Sequence, residues 1–486
     1  MVLPALILQK SSANSKAKDH CIKVEQRMKM WNDGKIATLV KEGKIIQQKL
    51  QSTKKKTVED QAKVFAKLMM QGKVTAALKL LGEFDCGVHT INKDILNALQ
   101  EKHPKPATIE KDTLLYGPIN DIPANYFDHI DEIMVSKAAS LTRGASGPSH
   151  LDADHYRHIL TSKKYKTENK ELREQIAALT RKIATEVLDP SLLEPYVASR
   201  LIPLDKNPGV RPIGVGEVLR RIAGKCIGWV LRKDIQEAAG PLQTATGLQS
   251  GAEAAIHCMR EIFADSDTDA VILVDASNAF NSLNRMAALH NVRVICPQFS
   301  TVLINTYRHH SRMIIHNSVD ILSLEGTTQG DNLAMAFYAL GTTPLVNYLR
   351  LTSSRIKMVC LADDVTGAGK FQDLRKWWDT VVEFGAKLGY YVNQKKSWII
   401  VKDSEKLDVG KEVFSNTGIQ FTTEGKRHLG ASIGSIDFRT KYTNDLVSTW
   451  CDEMMKLCVN LQRRNLMQLT LHSVTERYIN ISILCV

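Results

Sequence analysis

VILVDASNAF, residues 271–280, and CLADDV, residues 360–365, are the two stretches on which the fold of this 486-residue chain turns. Each is an apolar run that ends in carboxylate. A short apolar run with β-branched residues reads as a buried strand. Together the two supply three aspartates, Asp275, Asp363 and Asp364. A carboxylate at the end of a buried strand is costly unless something pairs with it, and a metal ion is the usual partner. Two divalent ions held about 3.5–4 Å apart by such carboxylates clamp the attacking and leaving oxygens of an in-line phosphoryl displacement. Three carboxylates so close cannot all stay ionised without cations. Mg²⁺, with Mn²⁺ as its substitute, suits an all-oxygen site that substrate phosphates complete.

Between the two runs lies EGTTQGDNLAMAFY, residues 325–338, and after them come GYYVNQKKS, residues 389–397, and RHLGA, residues 427–431. Upstream is RLIPLDKNPGVRPIGVG, residues 200–216. In order and spacing this series resembles the motifs of reverse transcriptases of non-LTR, LINE-like retrotransposons, over roughly residues 140–435. The resemblance implies an α/β right-hand polymerase, with a ferredoxin-like antiparallel palm sheet, fingers and a partial helical thumb. The activity it implies is RNA-directed DNA synthesis: addition of deoxynucleotides to a primer 3′-hydroxyl by two-metal-ion phosphoryl transfer. An RNA template, a DNA primer or target and dNTPs are the implied partners.

The resemblance also assigns roles. Asp275, Asp363 and Asp364 match the metal-binding carboxylates. Phe280 matches the aromatic gate under the sugar of the incoming nucleotide, where a ring leaves no room for a 2′-hydroxyl. Gln329 and Gly330 match the motif lining the nucleotide pocket; glycine lets backbone come close and Gln offers a donor and an acceptor. Lys206 and Arg211 frame a tight turn at residues 207–209 and place two cations where a triphosphate lies, Arg by fork and Lys as a point charge. Lys396 matches a lysine that protonates the pyrophosphate leaving group. His428, Leu429 and Gly430 match the primer grip. Arg220 and Arg221, on the helix that follows, contact template backbone or solvent. Three positions depart from the family pattern: His150 and Asn332 stand where Gly and Pro are usual, and Leu361 replaces an aromatic residue.

The chain carries 64 Lys and Arg against 52 Asp and Glu, net +12. Residues 1–80 hold 17 of the cations against 6 acids, so most of the excess sits at one end. Concentrated positive charge is the footprint of polyanion binding. The nine cysteines form no C-x-x-C pair, and Cys86 with His89 is too little for a zinc site; free thiols and an intracellular location, nucleus or cytoplasm, are expected. Residues 1–8 are apolar but lack a basic start and a cleavage pattern, which excludes a signal peptide. No run reaches the ~18 apolar residues of a membrane span.

Along the chain, residues 1–140 read as a basic, mainly helical extension, 141–255 as fingers, 256–435 as palm and 436–486 as the start of a helical thumb. Residues 1–60 are expected to be only partly ordered, and a helical hairpin is expected over 58–82. Pro104, Pro106, the Gly117-Pro118 pair and the 144–148 stretch mark 100–150 as a linker. A helix is expected to start at Asp152, and another to run from Asp437 through Leu446, Trp450, Met454, Cys458 and Leu461. The apolar residues that end the chain at Val486 suggest a truncated product or a covering partner. The rival reading is a decayed or domesticated element that binds nucleic acid without catalysis, supported by the three departures and that abrupt end. An RNA-dependent RNA polymerase is disfavoured by Phe280.

Overall fold

The computed structural model describes residues 16–51, 58–70, 87–162, 166–206, 209–316 and 318–462, together with Ile7 and Ala77. Lys54 to Lys56, Cys86, the 207–208 turn and the chain end at Val486 lie outside them, as do Val74, Leu78 and Leu81 of the expected hairpin. The architecture is mixed α/β, with helices packed around small mixed sheets.

The strands are β1 (Ser199–Asp205), β2 (Val210–Gly216), β3 (Ala270–Val274), β4 (Ala276–Ser277), β5 (Ser311–Ile314), β6 (Ile321–Ser323) and β7 (Lys357–Leu361). After them come β8 (Asp364–Gly369), β9 (Tyr391–Val392), β10 (Trp398–Val401), β11 (Gln420–Thr422), β12 (Gly425–His428) and β13 (Ala431–Gly434). The largest sheet has the order β11-β10-β3-β8-β7. Its pairs are antiparallel except β10 with β11.

β3 is central because both of its faces are apolar. Successive side chains of a strand point to opposite faces. Val271 and Leu273 therefore pack with Ala255 and Met259 of the helix Gly251–Ala264, whereas Ala270, Ile272 and Val274 enter the larger core on the other side. That second face is covered by the helix Phe371–Lys387, whose buried Leu374, Trp377, Trp378 and Val381 recur at helical spacing. Gly367 of β8 makes room for it, since a Cβ there would lie 2.9 Å from the Trp377 ring.

A second sheet, β2-β1-β5-β6, joins the hairpin at 199–216 to strands more than 90 residues later. The helix Lys93–Glu101 covers it, with Leu99 packed on Leu201, Val210, Met313 and Ile321. Asn92 caps that helix by accepting from the Ile95 N–H at 2.8 Å.

Three expectations need correction. Residues 16–51 are not loosely ordered: they form the helices Ala17–Asn32 and Ile36–Gln51, in contact with each other. Arg27 is buried in this pair, 2.8 Å from Glu42. The dense Lys content hid a fold that one internal ion pair supports. The 100–150 stretch is not a plain linker either. Asp131 caps a helix Glu132–Leu141 whose Val135, Ala138 and Ala139 are buried. Residues 102–115 are pinned to the body by side-chain amides: Asn278 and Asn281 donate to the Lys102 carbonyl, Asn284 to that of Thr108 and Asn291 to that of Thr113. Finally, Arg220, expected at a nucleic-acid contact or in solvent, is not at the surface. It is buried, with Nη2 2.6 Å from Asp331, whose carboxylate also accepts from the Tyr307 hydroxyl at 2.5 Å.

The helices expected near 152 and 437 are present as Ala153–Thr161, capped by Asp152, and Ile436–Gln462. Side chains of Cys458 and Leu461 lie outside the description. Among the described residues no helix is long and apolar enough to cross a membrane.

Candidate active site

The register Leu361↔Asp364 makes β7 and β8 a hairpin whose loop is only Ala362 and Asp363. Ala362 holds φ +56°, a left-handed conformation that costs a non-glycine residue about 1 kcal/mol. Buried Gln243 keeps it there: its amide oxygen accepts the Ala362 N–H at 2.8 Å, and its NH₂ faces the Ala362 carbonyl at 3.4 Å. Cys360 exchanges backbone hydrogen bonds with Leu242 and Thr244, so the 242–244 segment runs beside β7. The buried Tyr390 hydroxyl donates to the Asp363 carbonyl at 2.8 Å. Leu361 is half-buried and pairs with Asp364 across the hairpin.

Asp275 leaves the end of β3 beside this tip. Its N–H donates to the Ser397 hydroxyl at 3.0 Å and its carbonyl accepts from Asn393 at 2.7 Å. The turn that carries Lys396 is thereby fixed to the strand that carries Asp275. The three carboxylates feel one another. Burial pushes the Asp363 carboxyl above the usual range and the Asp275 charge adds to it, opposed by its own backbone N–H and by Lys206 and Arg211. Asp364 is pushed up to about 6 by the protein crowded round it, then by Asp363 and Asp275. The residue itself remains open to solvent.

Among the described residues none of the three is in an ion pair, and no three His, Cys, Asp or Glu side chains are arranged to hold a metal as they stand. The donor set nevertheless fits a hard divalent cation: oxygen only, mutually repelling, and open on one side. The carboxylates would have to turn toward a common point to ligate it.

In front of the tip is a cleft of about 460 Å³ lined by seven of the residues singled out in the sequence: Lys206, Arg211, Phe280, Gln329, Gly330, Asp363 and Lys396. Phe280 is set by the short helix Ala279–Ser282 and stacks on buried Tyr338, ring centroids 4.6 Å apart and planes 21° apart. The 325–331 loop closes over its backbone. Thr327 donates to the Phe280 carbonyl at 2.5 Å, and Gly326, at φ +62°, could not carry a Cβ, which would fall 2.3 Å from that same oxygen. Glu325 anchors the loop by accepting from Arg285 and Ala107 N–H groups, and the buried Arg285 guanidinium holds the Ser323, Glu325 and Gly326 carbonyls.

β2 meets this loop backbone to backbone. The Gly214 N–H donates to the Gln329 carbonyl at 2.7 Å, and a Cβ on Gly330 would lie 2.6 Å from the Gly214 oxygen. Gln329 Oε1 is buried with no hydrogen-bond partner among the described residues, an acceptor that awaits a donor. Asn332 lies just before the helix Ala334–Gly341; its amide donates to the Arg221 carbonyl at 3.1 Å and packs on Gly224.

The surrounding protein, then Arg211 and Lys396, hold the Lys206 ammonium below its usual range. Lys206, Arg211 and Lys396 are exposed at the cleft rim. His428, Leu429 and Gly430 stand apart from the cleft, on the β12–β13 hairpin. Leu429 (φ +50°) and Gly430 (φ +92°) make its two-residue turn. His428 is buried, with Nε2 3.1 Å from the Thr366 hydroxyl on β8. Burial pushes its imidazole down to about 4.

Sequence reasoning missed Gln243, Arg285, Glu325 and Lys102, the last of which also lines the cleft. Of these, only Glu325 left a signal in the sequence, as the first residue of the 325–338 motif. No protein-family model matches the chain, and no curated protein matches it significantly.

Proposed function

We propose that this chain is a reverse transcriptase of the non-LTR retrotransposon kind, which adds deoxynucleotides to a primer 3′-hydroxyl on an RNA template and releases pyrophosphate. The observation that carries the reading is one cleft lined at once by Asp363, the Phe280 ring, the Gln329-Gly330 loop and three cations. Each wall has a task. Lys206 and Arg211 neutralise a triphosphate, Arg211 by its fork and Lys206 as a point charge. Phe280, immobilised by its stack on Tyr338, fills the space a 2′-hydroxyl requires. The orphaned Gln329 oxygen accepts a hydrogen bond from the substrate. Lys396, at the rim, holds a proton for the leaving pyrophosphate. Asp275, Asp363 and Asp364 would hold Mg²⁺, which when bound stabilises the charge that develops on the attacking and leaving oxygens.

In this reading the sheet around β3 is a palm, the β1–β2 hairpin belongs to the fingers, the 428–430 turn holds the primer end and the helix from Ile436 begins a thumb. The basic N-terminal helices hold template RNA or target DNA through phosphates, so binding weakens steeply with salt. The work is done in the nucleus or cytoplasm. A second reading, a nucleic-acid-binding protein without catalysis, rests on the departures at His150, Asn332 and Leu361 from the family pattern.

Extension of oligo(dT) on poly(rA) with dTTP and Mg²⁺ separates the two. Extension by the native chain that disappears in Asp363→Ala supports the polymerase. Folded native chain that binds template–primer and extends nothing supports the second reading.

A further inference from the structure

The nucleotide cleft has a wall that none of the motifs supplies. Lys102 follows the helix Lys93–Glu101, about 100 residues before the β1–β2 hairpin, yet it lines the cleft with Lys206, Arg211 and Lys396. Its backbone is fixed there. The Lys102 carbonyl accepts from Asn278 at 2.9 Å and from Asn281 at 3.0 Å. These two asparagines flank Phe280 in sequence, and Asn278 takes a left-handed φ of +53° to reach the carbonyl. The chain before Lys102 is anchored by Leu99 in the core beneath the second sheet. The chain after it is anchored by the Ala107 N–H on Glu325, 2.6 Å away.

A lysine whose main chain is held at three points has only its side chain free to move, and that side chain lines a cleft with three further cations and the Asp363 carboxylate. No ion pair to Lys102 exists among the described residues. Its charge is felt at Lys206, where it adds to the repulsion from Arg211 and Lys396. The four cations outnumber the Asp275, Asp363 and Asp364 carboxylates beside them, and the repulsion among them favours entry of a polyanion.

We propose that Lys102 is a fourth phosphate-binding cation of the nucleotide site, so that the N-terminal segment completes the site for a nucleoside triphosphate. The inference rests on reading the cleft as a nucleotide site. It assigns to residues 93–107 a role in substrate binding distinct from the nucleic-acid binding of the basic helices before them.

The test uses the full chain and inorganic tripolyphosphate, which reports on the cleft without any turnover. Binding is measured by calorimetry for the native chain, Lys102→Ala, Lys102→Arg and Lys206→Ala, with thermal melts as a fold control. Lys102→Met, which keeps the aliphatic stem, replaces alanine if the alanine variant melts early. Loss of one charge-assisted contact is expected to weaken tripolyphosphate binding roughly tenfold. The KM for dTTP should rise by a similar factor while kcat and template–primer affinity stay near native, and arginine should restore most of the loss. Native tripolyphosphate affinity in Lys102→Ala overturns the inference, as does a defect confined to template–primer affinity. If Lys206→Ala loses binding while Lys102→Ala keeps it, only this inference fails. If the native chain binds no tripolyphosphate, the nucleotide-site reading falls and the inference with it.

Discussion

His428 ties the β12–β13 hairpin to β8 through the Thr366 hydroxyl, and its burial disfavours the charged ring. Burial lowers its folded-state pKa to about 4, against 6.5 for a free imidazole. A histidine with a depressed folded pKa contributes stability that is complete above 6.5 and is lost as pH falls toward 4, because the unfolded chain takes up the proton first. The full displacement corresponds to about 3 kcal/mol, and linkage places about 2 kcal/mol of it between pH 7 and pH 5. The side chain is only 8 % exposed, so solvent screening trims this little. The chain has 14 histidines, and burial also lowers His103 and His150, so a pH profile of the native protein alone cannot isolate one of them. The comparison is with His428→Gln, which keeps an amide within reach of Thr366 and cannot protonate. Urea unfolding is measured at pH 7 and pH 5 for both. The native protein is expected to lose about 2 kcal/mol more than the variant over that interval. Parallel losses in the two proteins would refute the claim that a neutral, buried His428 supports the hairpin.

Asp331→Asn removes one charge of a buried pair and strands Arg220, and urea unfolding should show a loss of about 3–5 kcal/mol. His150 holds a left-handed φ of +60°, so His150→Gly should raise stability by about 1 kcal/mol in the same assay; no gain would mean the side chain earns its conformation elsewhere. Asp364→Asn removes a charge from a self-repelling cluster. In EDTA it should melt above the native chain, and it should lose the upward shift that Mg²⁺ gives the native chain. Phe280→Ala should admit ribonucleotides in primer extension, and unchanged sugar selection would refute the gate.

The two strands that carry the aspartates were legible because each run announces itself locally. The runs at 271–280 and 360–365 are apolar up to the carboxylate, and pairing of β3 with β8 and β7 then brings Asp275, Asp363 and Asp364 together. Lys206 and Arg211 were legible because a hairpin carries both. What escaped depends on partners far along the chain. Arg220 looked exposed because its counter-ion, Asp331, is 111 residues away. Residues 102–115 looked like a linker because their prolines forbid regular structure, while the asparagines that fasten them lie some 170 residues later. Gln243 has no pattern at all; its value comes from a loop strained at Ala362. At His150, expected only as a departure from glycine, the backbone holds a positive φ and carries the strain itself.

Gly214 and Gly330 weld β2 to the 328–330 loop with no side chain between them. Arg211 and Gln329 thus ride on a single lever, and neither can swing away from the cleft without the other. Any widening of the cleft has to come from the opposite bank, where Lys396 rests on a short turn, or from tilting the lever as one piece. Exchange of either segment alone between related chains would break the weld, so the hairpin and the loop are bound to vary together.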